Sequence, residues 1–385
     1  MSPAFQPSLF RSFFLGGFEC STHRRRDGRR LDLIAATRHD LLAEEDYRQL
    51  AEHGIHTARD GVRWHLIETA PGRYDWGAVL PLLQAAERAR VQVVWDLCHY
   101  GWPDGLDVFS SAFVDRFARY AAAFAELHLD QTGRPPMVCP MNEISFLAWA
   151  GGDTGGINPC AEGRGAELKR QLVRAALAGT EAVRRAAPGA TVFAIDPVIN
   201  IVPRRGHDPR PVELHNESQW EAWDMLAGRL APELGGHGDA FDVVGLNYYW
   251  NNQWLDHAEP LSPFDTARYT PPRELFARAH ARYGKRIFLA ETSIEGPPRA
   301  AWLRYVSEEV RGAIRAGVPM EGVCLYPVLG HMGWDEDRYC PNGLFELEPR
   351  HGARRPVHAP LAQELRRQQA EFAALFSPAE AEAAA

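Results

Sequence analysis

The sequence predicts a single-domain α/β fold, a (β/α)8 TIM barrel. Short apolar runs alternate with amphipathic helical patterns along the 385 residues, and eight such strand-helix repeats are typical of this barrel. The runs are almost continuously apolar, as expected of parallel strands buried on both faces. An open doubly wound sheet would more often carry a glycine-rich nucleotide-binding turn after its first strand, and "ECSTHRRRDGRR" stands there instead.

Eight apolar runs are predicted to form the barrel strands. In chain order they span residues 13–19, 57–64, 91–97, 137–143, 191–198, 241–249, 286–293 and 322–328. Between them, apolar residues recur every three or four positions, which predicts helices packed against the strands. The stripes cover residues 43–51, 79–86, 113–124, 168–183 and 302–310. Stops such as Gly54, Pro188-Gly189 and Gly317 end several of them.

Composition and charge limit the classes of partner. Hydrophobic residues make up 45% and charged residues 24%, the balance of a globular protein with a large core. A net charge of -8 argues against binding nucleic acid or an anionic membrane, so a neutral small-molecule substrate fits better. Without a signal-peptide pattern or a long apolar run, we expect a cytoplasmic protein. We expect the barrel to occupy residues 1–376 and residues 377–385 to be a disordered tail.

Metal and phosphate motifs are lacking in the sequence. The six cysteines include no CxxC pair, which favours reduced, buried thiols over zinc or disulfides. The histidines show no HExxH spacing, and Asp96 with His99 is only a weak hint of a metal. The glycine-rich segment 150–165 lacks the GK[ST] ending of a phosphate loop, and we interpret it as a mobile lid near the leaving group. We therefore expect no cofactor and no catalytic metal.

Polar residues stand at the carboxyl ends of the predicted strands, where barrel enzymes build their active sites. Glu143 ends the fourth strand and Glu291 ends the seventh, so the two can face each other across the barrel mouth. Hydrolysis of a glycosidic bond needs one carboxylic acid to protonate the leaving oxygen and one carboxylate to act at the anomeric carbon. The alternative for either residue is a solvated loop acid or an arginine partner. The nearby "LNYYWNNQW" offers the aromatic faces and amides that a sugar site uses.

At these residues the chain resembles glycoside hydrolase family 1, the β-glucosidase and β-galactosidase type of retaining (β/α)8 glycosidase. "MNE" is similar to the Asn-Glu segment of that family, which would make Glu143 the acid/base and Asn142 the residue that holds the sugar 2-hydroxyl. "AETS" is similar to the nucleophile segment, which would make Glu291 the attacking group. Such a pair implies double displacement, with carboxyl groups about 5 to 5.5 Å apart.

Three further stretches, "ARDGVRWHLIE", "DLCHYGWPDGL" and "GLNYY", resemble motifs on the second, third and sixth strands of the family. The resemblance implies that Arg59 supports the nucleophile and that His99 binds the glycone. It also implies that Tyr249 hydrogen-bonds the nucleophile and that Asn247 shapes the floor of the site.

The positions that recognise the sugar depart from the family pattern. The glutamine motif of the first loop is absent, and Glu19 at the end of the first strand is our substrate-binding candidate there. The tryptophan of the eighth strand end is here Tyr326, and Trp334 is the candidate to replace the Glu-Trp clamp beyond it. The third-strand motif reads His-Tyr-Gly-Trp instead of His-Trp-Asp. The identity of the sugar therefore stays open.

Other functions remain compatible with the sequence. A transglycosidase would use the same residues, with an acceptor along residues 250–271. A sugar-binding barrel without activity and a metal-dependent barrel hydrolase are further alternatives. The basic run at residues 23–30 could grip a phosphate or a uronate, because arginine matches planar anions, or it could be a solvated, ion-paired loop.

Overall fold

The computed structural model describes residues 5–263, 267–334, 336–348 and 354–377, and its main sheet is a closed barrel of eight strands. The barrel strands are β1 (Phe14–Gly17), β2 (Thr57–Gly61), β3 (Gln92–Asp96), β4 (Met137–Cys139), β5 (Thr191–Pro197), β6 (Val243–Asn247), β7 (Arg286–Thr292) and β8 (Met320–Leu325). Each strand pairs in parallel with the next along the chain, and β8 returns to β1. Seven of the eight predicted runs contain one of these strands and the eighth, 322–328, overlaps β8, so the predicted (β/α)8 fold is confirmed.

Helices surround the barrel. In the described residues they are α1 (Leu33–Ala36), α2 (His39–Glu52), α3 (Trp64–Ile67), α4 (Leu80–Ala89), α5 (Ser111–Thr132), α6 (Ile144–Leu147), α7 (Gly165–Ala186), α8 (Arg210–Ser218), α9 (Glu221–Leu226), α10 (Pro272–Tyr283), α11 (Arg299–Arg315) and α12 (Ala359–Leu375). Two 3₁₀ turns (Trp76–Ala78 and Pro232–Leu234) and a π-helix (Ala148–Asp153) complete them. None of the described helices is long and apolar enough to cross a membrane.

Four of the predicted stripes fall within α2, α5, α7 and α11, and the stripe at 79–86 begins one residue before α4, whereas α8, α9, α10 and α12 were not predicted. The signal for α12 was present, because its buried positions Leu361, Leu365, Gln368 and Phe372 follow helical spacing. Three short strand pairs lie outside the barrel: Glu68–Ala70 with Arg73–Tyr74, Asn200–Val202 with Gln253–Leu255, and His331–Met332 with Tyr339–Cys340. Residues 378–385 of the predicted tail lie outside the described residues, and the domain boundary stays a prediction.

Each barrel strand is shorter than the apolar run that predicted it, and β2 and β4 show the difference clearly. β2 ends at Gly61 instead of residue 64, and β4 ends at Cys139 instead of residue 143. Past β4 the chain still bonds to both neighbours, since Asn142 N donates to Cys98 O and Glu143 N donates to Ile195 O. These bonds hold the segment at the barrel mouth in a twisted course that is not a strand.

The interior of the barrel is filled at its amino-terminal end. Inward side chains from seven of the strands form one buried cluster: Leu15, Val94, Cys139, Phe193, Ile195, Val243, Phe288, Ala290 and Cys324. Phe10, from the segment before β1, closes this end against Phe193 and Phe288. The Glu321 carboxylate fixes that segment by accepting from Ser8 N and Leu9 N at 2.8 and 3.0 Å. A ligand site is therefore expected at the opposite, carboxyl end.

A buried ionic network ties α2 to β2 on the outside of the barrel. The His39 ring lies 2.9 Å from Asp46 Oδ2 and 2.9 Å from Asp60 Oδ2 through its two nitrogens. Tyr47 OH also donates to Asp60, and Arg355 pairs with Asp46 at 3.0 Å. Burial alone would lower the pKa of His39, but the two carboxylates raise it to about 9.

This network predicts a specific pH dependence of stability. The folded pKa of His39, about 9, exceeds the ordinary value of 6.5, so protonated His39 stabilises the fold below pH 6.5 and this contribution is lost as the pH rises through 9. We expect thermal unfolding to show the largest advantage of wild type over His39→Gln below pH 6.5, and a smaller one above pH 9. His56→Gln is the control, because His56 is an exposed histidine. A gap between wild type and His39→Gln that is constant with pH would contradict the assignment.

Candidate active site

A cavity of about 820 Å³ opens at the carboxyl end of the barrel. The predicted residues that line it are Glu19, His99, Glu143, Tyr249, Glu291 and Trp334. Arg59, Asn142 and Asn247 lie directly behind them and hydrogen-bond to the two glutamates or to each other. The structure thus brings residues from six strand ends, 272 positions apart at the extremes (291 minus 19), into one site.

Glu291 lies near the end of β7, in register with Asn247 of β6, and is only 4% exposed. Its Oε1 accepts from Arg59 Nη1 at 2.6 Å, and its Oε2 accepts from Tyr249 OH at 2.8 Å. Both oxygens therefore face donors that suit a carboxylate, one of them cationic. These bonds also fix the orientation of the side chain in the cavity wall.

Arg59 connects four strands beneath the cavity. It is fully buried, and its guanidinium donates two hydrogen bonds to Asp96, from Nε to Oδ1 at 3.1 Å and from Nη2 to Oδ2 at 2.7 Å. The same Nη2 donates to Asn142 Oδ1 at 2.6 Å. A buried guanidinium is stable only when its charge and donors are paired, and this one is paired with both Asp96 and Glu291. Arg59 thereby sets the positions of Glu291 and Asn142 relative to each other.

Glu143 has an unusual backbone that aims its side chain into the cavity. It precedes α6 with a φ of 46°, a left-handed conformation that costs energy in a residue other than glycine. Asp196 at the end of β5 stabilises this turn by accepting from Ser145 N at 3.2 Å and from Ser145 Oγ at 2.9 Å. The Glu143 carboxylate accepts from Asn247 Nδ2 at 2.7 Å through Oε1 and from Tyr100 OH through Oε2.

The two carboxylates have different electrostatic surroundings. Burial raises the pKa of Glu143 well above its ordinary range, and the negative charge of Glu291 raises it further. The hydrogen bonds from Tyr100 and Asn247 oppose this shift without cancelling it. At neutral pH a protonated Glu143 therefore faces Glu291, whose oxygens are held by Arg59 and Tyr249. Such a division is what an acid and a nucleophile in one pocket require.

The inner end of the cavity carries the residues expected to recognise the glycone. Glu19 Oε1 accepts from Ser21 N at 3.0 Å and lies 3.9 Å from His99 Nε2. Burial alone would raise the pKa of Glu19, but His99 and His331 hold it below its ordinary value. Trp334 also lines this end of the cavity, and its ring contacts those of Tyr100 and Phe146.

Tyr326 and His23 support the inner end from outside the cavity lining. Tyr326 is 1% exposed, stacks on His99 and lies under the Arg59 guanidinium at 5.0 Å. His23 is fully buried beside Trp334, and neither of its ring nitrogens has a hydrogen-bond partner in the described part of the chain. Burial lowers the pKa of His23 to about 4, so its ring is neutral. It was not predicted as a site residue, although it belongs to the basic run.

The opposite half of the cavity lies past Glu143 and is more apolar. Phe146, Trp149 and Trp254 border it, and Trp149 is 58% exposed. Both ends of the predicted lid 150–165 also contribute, through Asp153 and Gly165. The lid begins within the π-helix and bonds to the first loop, with Asn158 N donating to Arg24 O. Of the predicted acceptor stretch 250–271, residues 264–266 lie outside the described residues.

One group of side chains has the composition of a metal site. Cys20, Asp96 and His99 could offer ligand atoms within 4.8 Å of one another. However, both Asp96 oxygens already accept from Arg59, and Oδ2 also pairs with His99 Nδ1 at 2.8 Å. Burial raises the pKa of the Cys20 thiol, which disfavours the thiolate that a metal needs. These residues therefore fit an ionic network around Arg59 better than a cation centre.

The arginines of the basic run are paired with acidic residues of the run itself or of neighbouring loops. The pairs are Arg24 and Arg30 with Asp104, Arg25 with Asp27, Arg26 with Glu162, and Arg29 with Asp337. Among the described residues that line the cavity, none belongs to this run. The geometry favours the ion-paired interpretation of the run over direct contact with an anionic substrate.

Comparison with known proteins gives a likeness in structure and none in sequence. No protein-family model matches the chain, and no curated protein matches it. Among solved structures, the family 1 β-glucosidase from Thermotoga maritima is similar, with a TM-score of 0.72 and 14% identity over 95% of this chain and 99% of that chain. The same β-glucosidase in complex with deoxynojirimycin gives a TM-score of 0.73 at 14% identity, over 94% of this chain and 99% of that one.

A third structure of that β-glucosidase, in complex with N-octyl-5-deoxy-6-oxa-N-(thio)carbamoylcalystegine, gives a TM-score of 0.76 at 16% identity. It covers 95% of this chain and 99% of that chain. At such low identity the likeness establishes the fold alone. The chain therefore shares the eight-stranded parallel barrel of family 1 β-glucosidases over nearly its whole length.

Proposed function

We propose that this protein is a retaining β-glycoside hydrolase, a divergent member or close relative of glycoside hydrolase family 1. One observation carries the proposal: two carboxylates, one just past β4 and one near the end of β7, border one cavity in different electrostatic surroundings. The β-glucosidase fold of the structural neighbours and the five family-like sequence motifs support it. A chain that merely bound sugar would have no need to hold Glu143 protonated opposite a carboxylate clamped by Arg59 and Tyr249.

In the first step, Glu291 attacks the anomeric carbon while Glu143 gives its proton to the leaving oxygen. The bond between the anomeric carbon and the leaving oxygen breaks, and its electron pair stays on that oxygen, which takes the proton. Arg59 and Tyr249 orient Glu291 for this attack through their bonds to its two oxygens. Asn142, held by Arg59, stands where it could meet the sugar 2-hydroxyl.

In the second step, the ionised Glu143 takes a proton from water as the water oxygen attacks the anomeric carbon. The ester bond to Glu291 breaks and Glu291 regains its charge. While Glu291 is esterified, it no longer opposes ionisation of Glu143, so the pKa of Glu143 falls and the residue becomes a base. The proton that Glu143 takes from water replaces the one it gave to the leaving oxygen, so the enzyme returns to its first state.

The charges of the site favour a neutral glycone. Glu19, Asp96 and Glu291 place negative charge at the inner end, and the cations nearest the cavity, Arg59 and Lys169, are paired with carboxylates. An added carboxylate or phosphate on the sugar would meet like charges without a free cation in the described part of the cavity wall, which is unfavourable.

A substrate screen tests both the function and this preference. We expect hydrolysis of at least one neutral 4-nitrophenyl β-glycoside among the gluco, galacto, fuco and xylo forms. The glucuronide and the 6-phosphoglucoside should be cleaved with kcat/KM at least about tenfold lower, a difference of about 1.4 kcal/mol. Glu19→Gln should reduce the difference in kcat/KM between the neutral glycosides and the glucuronide. Activity confined to the anionic substrates would indicate that the basic run binds the anionic group of the substrate. A lack of activity on every aryl glycoside would refute hydrolysis.

A transglycosidase is the second candidate, favoured by the size and lining of the outer half of the cavity. About 820 Å³ exceeds the space that one sugar ring needs, and the aromatic side chains Phe146, Trp149 and Trp254 lie past the acid. There an acceptor sugar or alcohol could replace water in the second step. Product analysis with added acceptors separates the two reactions, because glycosyl transfer would exceed hydrolysis in a transglycosidase.

A further inference from the structure

We propose that Tyr100 is a positioning residue for Glu143, which it holds by a hydrogen bond and favours in the ionised form that the second step uses. This inference rests on the proposed function for its place in the reaction. Tyr100 replaces the tryptophan of the family pattern in the third-strand motif, so the resemblance assigns it no such role. Its hydroxyl donates to Glu143 Oε2, on the carboxylate whose other oxygen is bound by Asn247.

The direction of this hydrogen bond is fixed by a chain of donors. The Arg59 guanidinium can only donate, so the atom it meets at 2.6 Å on Asn142 is the carbonyl oxygen. The amide nitrogen of Asn142 must then point the other way, and it donates to Tyr100 OH at 3.1 Å. Since that contact uses Tyr100 oxygen as acceptor, its own proton is available for Glu143. The chain from Arg59 through Asn142 and Tyr100 links the two carboxylates, because Arg59 also donates to Glu291.

Tyr100 is held rigidly in a costly conformation. Its φ is 71°, a left-handed value that is rare for a bulky side chain. Asn158 stabilises this backbone by donating to Tyr100 O at 2.9 Å, and it is itself fixed by Arg24 N. The ring is 1% exposed and is packed between Trp334 and Phe146 at centroid distances of 5.5 and 5.4 Å. The hydroxyl therefore has little freedom to leave Glu143.

Several groups face Glu143, and they act in opposite directions. Glu291 from β7 and Asp196 from β5 oppose its ionisation by their charge, as burial does. Asn247 from β6 and Tyr100 after β3 favour ionisation through hydrogen bonds. Tyr249, the other tyrosine near both acids, donates to Glu291 instead. Tyr100 is thus the hydroxyl group that compensates part of the burial cost of a charged Glu143.

The consequence for the reaction lies in the second step. Glu143 must then be ionised to take a proton from water, while the electron pair of the breaking ester bond returns to Glu291. A donor already directed at Oε2 stabilises that carboxylate and keeps it in place. Without it, Glu143 would hold its proton more tightly and fewer enzyme molecules would carry the base.

Tyr100→Phe tests the inference by removing one hydroxyl while keeping the ring. We would label the glutamate side-chain carboxyl carbons with ¹³C, assign Glu143 by its loss in Glu143→Gln, and titrate by NMR. Because a hydrogen bond to a charged group contributes about 1.5 to 3 kcal/mol, the midpoint of Glu143 should rise by about one pH unit or more in Tyr100→Phe. Tyr74→Phe is the matched control, since Tyr74 OH has no hydrogen-bond partner among the described residues. It should leave the midpoint unchanged.

Kinetics supply the second readout. With a 2,4-dinitrophenyl glycoside, whose leaving group needs no proton, the second step limits kcat, so Tyr100→Phe should move the acidic limb of the kcat profile to higher pH by about one unit. The basic limb of its kcat/KM profile should also move to higher pH. An unmoved midpoint, even with lost activity, would reduce Tyr100 to a packing role and overturn the proposal. If wild type cleaves no glycoside, the proposed function fails, while the titration still decides whether Tyr100 acts on Glu143.

Discussion

Glu291→Ala is expected to reduce hydrolysis of the best aryl β-glycoside by about 10⁴-fold or more. The substitution removes the group that would form the covalent intermediate, and in the described residues no other carboxylate is bound by both Arg59 and Tyr249. The measurement is kcat/KM from released 4-nitrophenol. The loss should be the same for good and poor leaving groups, because it affects bond formation at the anomeric carbon and not protonation.

Azide provides a check on the geometry. In the space left by the Glu291 carboxylate, azide can attack the anomeric carbon from the same face, so it should restore part of the rate and give the α-glycosyl azide. Glu295→Ala is the control, because this half-exposed acid lies on the loop after β7 and pairs with Arg338 away from the cavity. An activity of Glu291→Ala within about tenfold of wild type would remove this residue from the mechanism.

Glu143→Ala is expected to give a loss that depends on the leaving group. General acid catalysis contributes about 10² to 10⁴-fold, so kcat/KM for a poor leaving group such as a methyl or phenyl glycoside should fall by that order. For a 2,4-dinitrophenyl glycoside kcat/KM should change far less, because that phenolate leaves without a proton. Because the pKa of Glu143 is raised, we also expect the wild-type kcat/KM to decline at alkaline pH, where this acid ionises.

The same variant reports on the second step. With the base missing, the glycosyl-enzyme should accumulate on the dinitrophenyl substrate and appear as a burst. Azide should then speed turnover and yield the β-glycosyl azide, the opposite configuration to that from Glu291→Ala. Glu162→Ala is the control, because Glu162 lies between the π-helix and α7, is exposed and pairs with Arg26. Equal losses for all leaving groups would show that Glu143 has another role.

The barrel and the pair of acids were accessible from the sequence for a clear physical reason. Parallel strands buried on both faces must be apolar throughout, so the ends of those runs mark the barrel mouth. An acid at such an end, as with Glu143 and Glu291, stands out against an apolar background. The roles of Arg59 and Tyr249 beside Glu291 followed only from the resemblance, and the structure places a donor atom of each within 2.8 Å of Glu291.

The contacts of Tyr100 and Asp196 could not be predicted in the same way. Tyr100 reaches Glu143 because its backbone is left-handed, and Asn158 of a distant loop stabilises that backbone. Asp196 stands at the end of β5, and its bonds to Ser145 depend on how the chain turns after β4. Such details arise from contacts between segments far apart in the chain, and no local pattern encodes them. The same holds for β2 and β4, whose ends are set by bonds to neighbouring strands.

The most direct test of the central claim is the configuration of the first product. Proton NMR of the reducing sugar, recorded in the first minutes of hydrolysis of a neutral aryl β-glycoside, distinguishes the two anomers before they interconvert. Attack by Glu291 followed by attack of water inverts the anomeric centre twice, so the β-anomer should appear first. Initial appearance of the α-anomer would mean a single displacement by water, and would contradict both the nucleophilic role of Glu291 and the expected spacing of about 5 to 5.5 Å between the carboxyl groups.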